Sequence, residues 1–281
     1  MPELTEHFFW TGRRVIVLLE GAAGWGEWSP LPGYPADPDV CRLAAEEAAA
    51  IGFPPPVRDA VAVNALVDGP EFDAAVLRTY PAVKVKVREP DDLDLVAAVR
   101  DAVGPRVALR VDANGAWSVD TALDMIARLS RYDLELVEQP VATLEDLARV
   151  RRSVDVPIAA DECVRTIEDA RRLRRLDAAD AVVVKQQPLG GVRAALSVVE
   201  EAGVPGIVTS MMETSVGICA GLALAAALPE LPYACGLATA GVHEQDVTAS
   251  PLTPIDGELT VRTVVPDLVV GQADPDQERN R

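Results

Sequence analysis

Six side chains at the ends of short apolar runs are spaced as a catalytic set would be. Lys84 and Lys86 stand in AVKVKVRE, Asp112 closes VALRVD, Glu138 closes LELVE, Asp161 closes PIAAD and Lys185 closes AVVVK. Side chains alternate faces along a strand, so the two early lysines share one face while Val83, Val85 and Val87 take the other. In chain order the set reads lysines, three successive carboxylates, lysine. Carboxylates that converge on one point repel each other and call for a cation. Hard oxygen donors from Asp112, Glu138 and Asp161 suit Mg²⁺, with Mn²⁺ as its substitute. A buried lysine beside such a cation and a second ammonium has its neutral form favoured. A neutral lysine is a general base, and the cation would meet the negative charge of an enolate formed next to a substrate carboxylate. Lys86 is the expected base, with Lys84 lowering its charge and Lys185 flanking the cation from the other side.

The elements that must position these residues repeat at a near-constant interval. Apolar runs end at Lys86, Asp112, Glu138, Asp161, Lys185, Ser210 and Cys235, with gaps of 26, 26, 23, 24, 25 and 25 residues, and an earlier run, VAVN, ends at Asn64. That gives eight expected strands. Helical patterns separate them: DDLDLVAAVRDAVG opens on acids and closes on Gly104, and SVDTALDMIARLSRY begins on an N-capping serine. TLEDLARVRRSV, TIEDARRLRRL and GGVRAALSVVEEAGV follow the same design. Strand, helix and a period near 25 predict an α/β chain: a parallel barrel ringed by helices, whose chemistry sits at the C-terminal strand ends. No Gly-x-Gly-x-x-Gly follows a strand, which argues against a doubly wound sheet.

Residues 1–57 break the period and predict a short α+β cap: RRVIVLLE and GWGEW as antiparallel strands, SPLPGYPADP as a loop, and a helix closed by Gly52. FPPPVRD then links the cap to a barrel over 58–248. Over 249–281, GELTVRTVV predicts a strand returning to the cap, and the polar GQADPDQERNR a disordered tail.

Bulk composition narrows the function. Aromatic residues are 4% of the chain against 49% hydrophobic, so Ala, Val and Leu must build the core. The net charge of −18 repels phosphate backbones and argues against a nucleic-acid partner. The longest apolar run, Val216 to Leu228, is too short to span a bilayer, so no membrane partner is expected. MPELTEHFFW lacks the basic and apolar regions of a signal peptide. A cytoplasmic protein with free thiols is expected, and a monomer is compatible with the pattern. Cys41, Cys163, Cys219 and Cys235 form no Cys-x-x-Cys pair, which disfavours a zinc site. Arg110 shares the face of Asp112 and is either a structural partner for a carboxylate or a direct participant. Asn114 either orients a catalytic group or serves the turn. Met211 and Met212 read as packing, and nothing marks Cys163 or Cys235 as a nucleophile.

The ordered set of Lys84-Val85-Lys86, RVDANGAW, VEQP, ADE, VVVKQQPLGG and TSMMETSVG, preceded by GWGEWSPLPGY, resembles the enolase superfamily and its muconate-lactonizing-enzyme-like subgroup. The resemblance runs from about Gly24 to Gly241 and points to the subgroup's o-succinylbenzoate-forming dehydratases. It implies a (β/α)7β barrel with an amino-terminal capping domain and Mg²⁺ held by Asp112, Glu138 and Asp161. It also implies a small-molecule carboxylate substrate, 2-succinyl-6-hydroxy-2,4-cyclohexadiene-1-carboxylate, from which Lys86 takes the α proton before protonating the departing hydroxyl. Lys185 would stabilise the enolate and ring, and the pathway would be menaquinone biosynthesis. Pro32, Gly33 and Tyr34 of the cap, with Ser210 and Thr214 after the seventh strand, are the expected substrate contacts, although Thr214 could instead cap the next helix.

The nearest rival is an N-acylamino-acid racemase, which uses the same lysines and metal. A dipeptide epimerase needs an acidic pair on the eighth strand, and YACGLATA has none. A muconate-type cycloisomerase shares the enolate logic. A Schiff-base aldolase would use Lys86 or Lys185 as nucleophile and would not need three carboxylates. A silent binding scaffold would keep costly buried charge without use.

Overall fold

The computed structural model describes residues 3–11, 14–89 and 92–267. Thr5–Trp10 (β1), Val15–Gly21 (β2) and Gly24–Trp28 (β3) form an antiparallel sheet in that order. Its partner is the helix Pro38–Ala50 (α1), capped by the Asp37 side chain. The helix presents Cys41 and four small residues, Ala44, Ala45, Ala48 and Ala49, all buried. Small side chains let it lie almost on the strands. A Cβ at Gly21 or Gly26 would collide with the carbonyls of Ala49 or Ala45, so that approach requires glycine.

After an irregular link come Ala60–Ala62 (β4), Asn64–Val67 (β5), the one-turn helix Ala74–Leu77 (α2), Ala82–Lys86 (β6) and Asp92–Val103 (α3). The alternation continues with Ala108–Asp112 (β7), Val119–Leu129 (α4), Leu134–Glu138 (β8), Leu144–Arg151 (α5), Ile158–Ala160 (β9) and Ile167–Leu176 (α6). Ala181–Val184 (β10), Val192–Ala202 (α7), Gly206–Val208 (β11) and Ser215–Ala227 (α8) complete it. Strands β5 to β11 pair in sequence order, every pair parallel. The segment Cys235–Gly236 closes the curl through parallel bridges, Cys235 to Val63 and Gly236 to Thr209. The fold is therefore a parallel α/β barrel with a small α+β cap.

Helix starts follow from their caps. Ser118, Thr143 and Thr166 accept hydrogen bonds from the backbone N–H three residues on, at 3.1, 3.2 and 3.1 Å. Val83, Val85 and Val87 are fully buried in the layer between strands and helices, each worth about 2 kcal/mol relative to exposure. With the valines pointing out to the helices, the lysine face of β6 must line the barrel interior. The interior has only a small apolar floor of Leu136, Ala159, Ala181, Val183 and Ile207.

Three expectations change. The first barrel strand does not end at Asn64 but starts there and runs to Val67, because a separate short strand, β4, precedes it. The eighth strand is reduced to the two bridging residues. The strand expected to return to the cap is Glu258–Thr260 (β12), and it pairs antiparallel with β4 instead. Leu259 and Val61 bury each other's surroundings there, both 1% exposed, and Gly257 passes against Thr79–Pro81 just ahead of β6. β12 thus seals the barrel at the end opposite the C-terminal strand ends. The expected disordered tail lies outside the described residues from 268 onward. Among the described residues no helix is long and apolar enough to cross a membrane.

Candidate active site

Parallel register sets one tier of side chains. Lys86 is the partner of Asp112 and Asp112 of Glu138 on neighbouring strands. Glu138 pairs with Ala159, which puts Asp161 just beyond the end of β9. All three carboxylates are buried, at 0, 2 and 5% exposure for Asp112, Glu138 and Asp161. Lysines stand against them: Lys84 Nζ lies 2.8 Å from Glu138 and 3.1 Å from Asp112, and Lys86 Nζ 2.6 Å from Asp112. Lys185 holds both oxygens of Asp161. The row therefore has Lys86 at its Asp112 end and Lys185 at its Asp161 end.

Charge in this tier is tightly balanced. Burial pushes Glu138 up to about 8, and the neighbouring Asp112 adds to it. Asp112 is buried too, yet Lys84 and Lys86 hold it well below the usual carboxylate range. Burial alone would lower Lys84 and Lys185, but the facing carboxylates outweigh it and both are raised. Lys84 is thus held charged between Glu138 and Asp112, one pleat from Lys86. Among the described residues no three acidic, histidine or cysteine side chains already close on one point as a metal cage. The donor set still fits a hard divalent cation. It is all oxygen, it comes from three successive strands, and one of its carboxyls resists ionising beside the others.

Neighbouring residues fix the tier. Asn114 sits in the left-handed region at φ 47°, a conformation asparagine tolerates, and its N–H bonds Asp112 Oδ1 at 3.0 Å. Lys86 Nζ donates to Asn114 Oδ1 at 2.8 Å, and Asn114 Nδ2 donates to Glu162 Oε1 at 2.9 Å. Gln139, also left-handed, accepts from the Asp161 N–H at 2.6 Å and anchors itself on the Val141 carbonyl. Glu162 and Gln139 were not singled out from sequence, though each directly follows a carboxylate that was.

A cavity opens over the tier, lined from the cap by Leu31 and Tyr34, and from the barrel by Leu66, Met212, Ala238 and Thr239 beside the charged row. Tyr34 Oη donates to Asp161 Oδ1 at 3.1 Å, and Lys185 Nζ lies 4.9 Å over its ring. Ser210 lines the cavity and shares a 2.8 Å hydrogen bond with Thr239. Two expected cap contacts, Pro32 and Gly33, are not in the lining, where Leu31 stands beside Tyr34. Thr214 is fully buried as the N-cap of α8, not a wall of the cavity. Met212, expected as packing, is in the wall, while Met211 is buried. Arg110 is 1% exposed and points to the barrel floor, where it pairs with Glu135, donates to the Ala234 carbonyl at 2.7 Å and stacks on Tyr233. It is a structural partner. Burial pushes the Cys163 thiol up to about 12, so it is no nucleophile.

The cap is keyed to the barrel by Glu27, a residue missed in the sequence although GWGEW contains it. Glu27 accepts from the N–H groups of Thr214, at 3.1 Å, and Gly217, at 2.9 Å, and from the hydroxyls of Thr214 and Ser29, at 2.5 and 2.6 Å. A carboxylate from the cap thus satisfies the amino end of α8. Burial, with Glu213 adding to it, pushes Glu27 up to about 7.

Comparison with known proteins agrees with this architecture. Residues 70–267 match the family described as Enolase C-terminal domain-like. The chain is 54% identical to an o-succinylbenzoate synthase of Thermobifida fusca over 260 residues, covering 88% of this chain and 81% of that one. It is 47% identical to an o-succinylbenzoate synthase of Mycobacterium bovis over 268 residues, covering 90% and 80%. Among solved structures, a muconate cycloisomerase from Pseudomonas fluorescens superposes with a TM-score of 0.78 at 25% identity, covering 99% of this chain and 96% of that one.

Proposed function

The chain belongs to the enolase superfamily, and from that premise we propose that it acts as an o-succinylbenzoate synthase. It is a hydro-lyase that dehydrates 2-succinyl-6-hydroxy-2,4-cyclohexadiene-1-carboxylate to 2-succinylbenzoate in menaquinone biosynthesis. The observation that carries the reading is the row of three buried carboxylates with a lysine at either end, under Tyr34, in a chain about half identical to such synthases.

Members of the superfamily use a divalent metal. Here Asp112, Glu138 and Asp161 would hold it, and Mg²⁺ is the cation their oxygen donors favour. When bound, it supplies positive charge against the negative charge that builds on the substrate carboxylate. Lys86 takes the proton α to that carboxylate and gives it to the hydroxyl as the carbon–oxygen bond breaks. Water leaves, the ring becomes aromatic, and Lys86 returns to its starting state. Lys185, at the other end of the row, stabilises the developing charge without exchanging a proton. Lys84 keeps Asp112 and Glu138 together. Tyr34 and Leu31 cover the substrate from the cap and exclude water.

The test is loss of the diene absorbance on adding protein and Mg²⁺, with and without EDTA, in wild type and Lys86→Ala. Dehydration that EDTA and Lys86→Ala both abolish supports the reading. The paired lysines would also serve a two-base racemisation, so N-succinyl amino acids are assayed beside it. EDTA-sensitive racemisation without dehydration would move the function to an N-acylamino-acid racemase. Full dehydration by Lys86→Ala would remove Lys86 as base.

A further inference from the structure

We infer that Glu162 is a positioning residue for Lys86, acting through the side-chain amide of Asn114. The inference rests on Lys86 being the base. Three strand ends contribute: Lys86 ends β6, Asn114 follows β7, and Glu162 follows β9. The hydrogen bonds run in one direction, Lys86 to Asn114 Oδ1 at 2.8 Å and Asn114 Nδ2 to Glu162 Oε1 at 2.9 Å.

Donor arithmetic explains why the third member matters. An asparagine amide can rotate by half a turn at little cost, exchanging its oxygen for its NH₂ group. With the NH₂ group toward Lys86, two donors would face each other. The Glu162 oxygen, as an acceptor, binds the NH₂ group and leaves Oδ1 aimed at Lys86. The amide itself cannot drift, because the Asn114 backbone is pinned to Asp112. A lysine carries four rotatable bonds, and a fixed acceptor removes much of that freedom at the reacting nitrogen. Asp112 alone is a second contact, at 2.6 Å, and two contacts from different directions define where Nζ points.

Glu162 has no structural duty that would account for it. Among the described residues its buried Oε2 has no hydrogen-bond partner, and the residue lines the cavity. An unpaired buried carboxylate oxygen is costly. Its one side-chain partner among the described residues is Asn114.

Misplacing a reacting group by about 1 Å costs up to about 10²-fold in rate. Glu162→Leu is therefore expected to lower kcat about 10- to 100-fold, with KM and Mg²⁺ affinity, measured calorimetrically without substrate, within about threefold of wild type. Glu162→Gln, which offers Asn114 both a donor and an acceptor, falls between. The Glu162→Leu/Asn114→Ala double variant is no slower than Asn114→Ala alone, since both changes break one chain. Substrate deuterated at the transferred position shows a larger isotope effect in Glu162→Leu than in wild type. A readout free of activity comes from asparagine-selective ¹⁵N labelling: the chain has asparagines only at 64, 114 and 280, and the side-chain signals of Asn114 should move in Glu162→Leu. Wild-type kcat in Glu162→Leu, additive losses in the double variant, unmoved Asn114 signals, or a matching loss of Mg²⁺ affinity would each overturn the inference while leaving the synthase reading intact. A wild-type protein that does not dehydrate the diene would overturn both.

Discussion

Replacing Glu27 separates two consequences of one buried carboxylate. In Glu27→Ala, the N–H groups of Thr214 and Gly217 and the Ser29 hydroxyl lose their acceptor. A lost cap costs about 1 kcal/mol and a stranded buried donor about 1–3 kcal/mol, partly relieved by water entering the space, so a total near 3 kcal/mol is expected. For a chain of this size that is about 6 °C in melting temperature. Glu27→Gln keeps an acceptor for the helix end and can donate to Glu213, so its cost is smaller. Titration adds a pH signature. Burial raises Glu27 from 4.5 to about 7, so between those values the folded protein holds this proton more tightly than the unfolded chain. The group's stabilising contribution is complete below its unfolded value and is lost as pH rises toward 7, about 3 kcal/mol in all. Urea unfolding of wild type, Glu27→Gln and Glu27→Ala at pH 5 and pH 8 measures both effects. The Gln variant should gain on wild type as pH rises. An unchanged pH slope in Glu27→Gln, or an Ala variant melting within about 1 °C of wild type, would refute the argument.

Tyr34→Phe keeps the ring beside Lys185 but loses the hydroxyl on Asp161; kcat/KM should fall less than about tenfold, against a further tenfold for Tyr34→Ala, in steady-state assays with the diene. Arg110→Met leaves Glu135 without its partner at the barrel floor, one pleat below the carboxylate row, so urea unfolding should show a loss of about 2–3 kcal/mol with Mg²⁺ affinity within about threefold of wild type by calorimetry. Asp161→Ala removes one of the three oxygen donors, and calorimetric Mg²⁺ binding should weaken at least about tenfold. Burial raises the thiols of Cys41 and Cys235 to about 11 and of Cys163 to about 12, so iodoacetamide at pH 7.5 should label none of the three in the native protein, as intact mass would report.

Much of this molecule was legible because barrels repeat. The constant interval between polar strand ends marked β6 to β10, and the Ser118, Thr143 and Thr166 caps marked the helices between them. The charged row was legible for the same reason: strand alternation turns a spacing into a shared face. What the pattern could not supply was distance. It gave Lys84 the right face but not its 2.8 Å contact with Glu138, which lies two strands away. Loops have no period, so Leu31 could not be told from Pro32 and Gly33. Glu27 was hidden because its partners, Thr214 and Gly217, are almost 190 residues away in sequence. Asn64 was misread because four residues of β5 follow three of β4 with a single residue between, and the apolar run shows no break.

The pairing of β12 with β4 bears on how the chain acquires its shape. Leu259 meets Val61 across nearly 200 positions, and Cys235 meets Val63 across more than 170. A neighbouring pair in the ring closes a loop of about 25 residues; closing one eight times longer costs about 2 kcal/mol more in chain entropy. Ring closure is therefore the slow contact to make, and while the chain is being synthesised it must wait for the last of its partners to emerge. Until then, β5 and β11 are open edges with unpaired backbone groups, and the barrel's most apolar layer is forming beside them. The interval before closure is when this protein is most exposed to sticking to its own copies, and conditions that slow late synthesis should lengthen it.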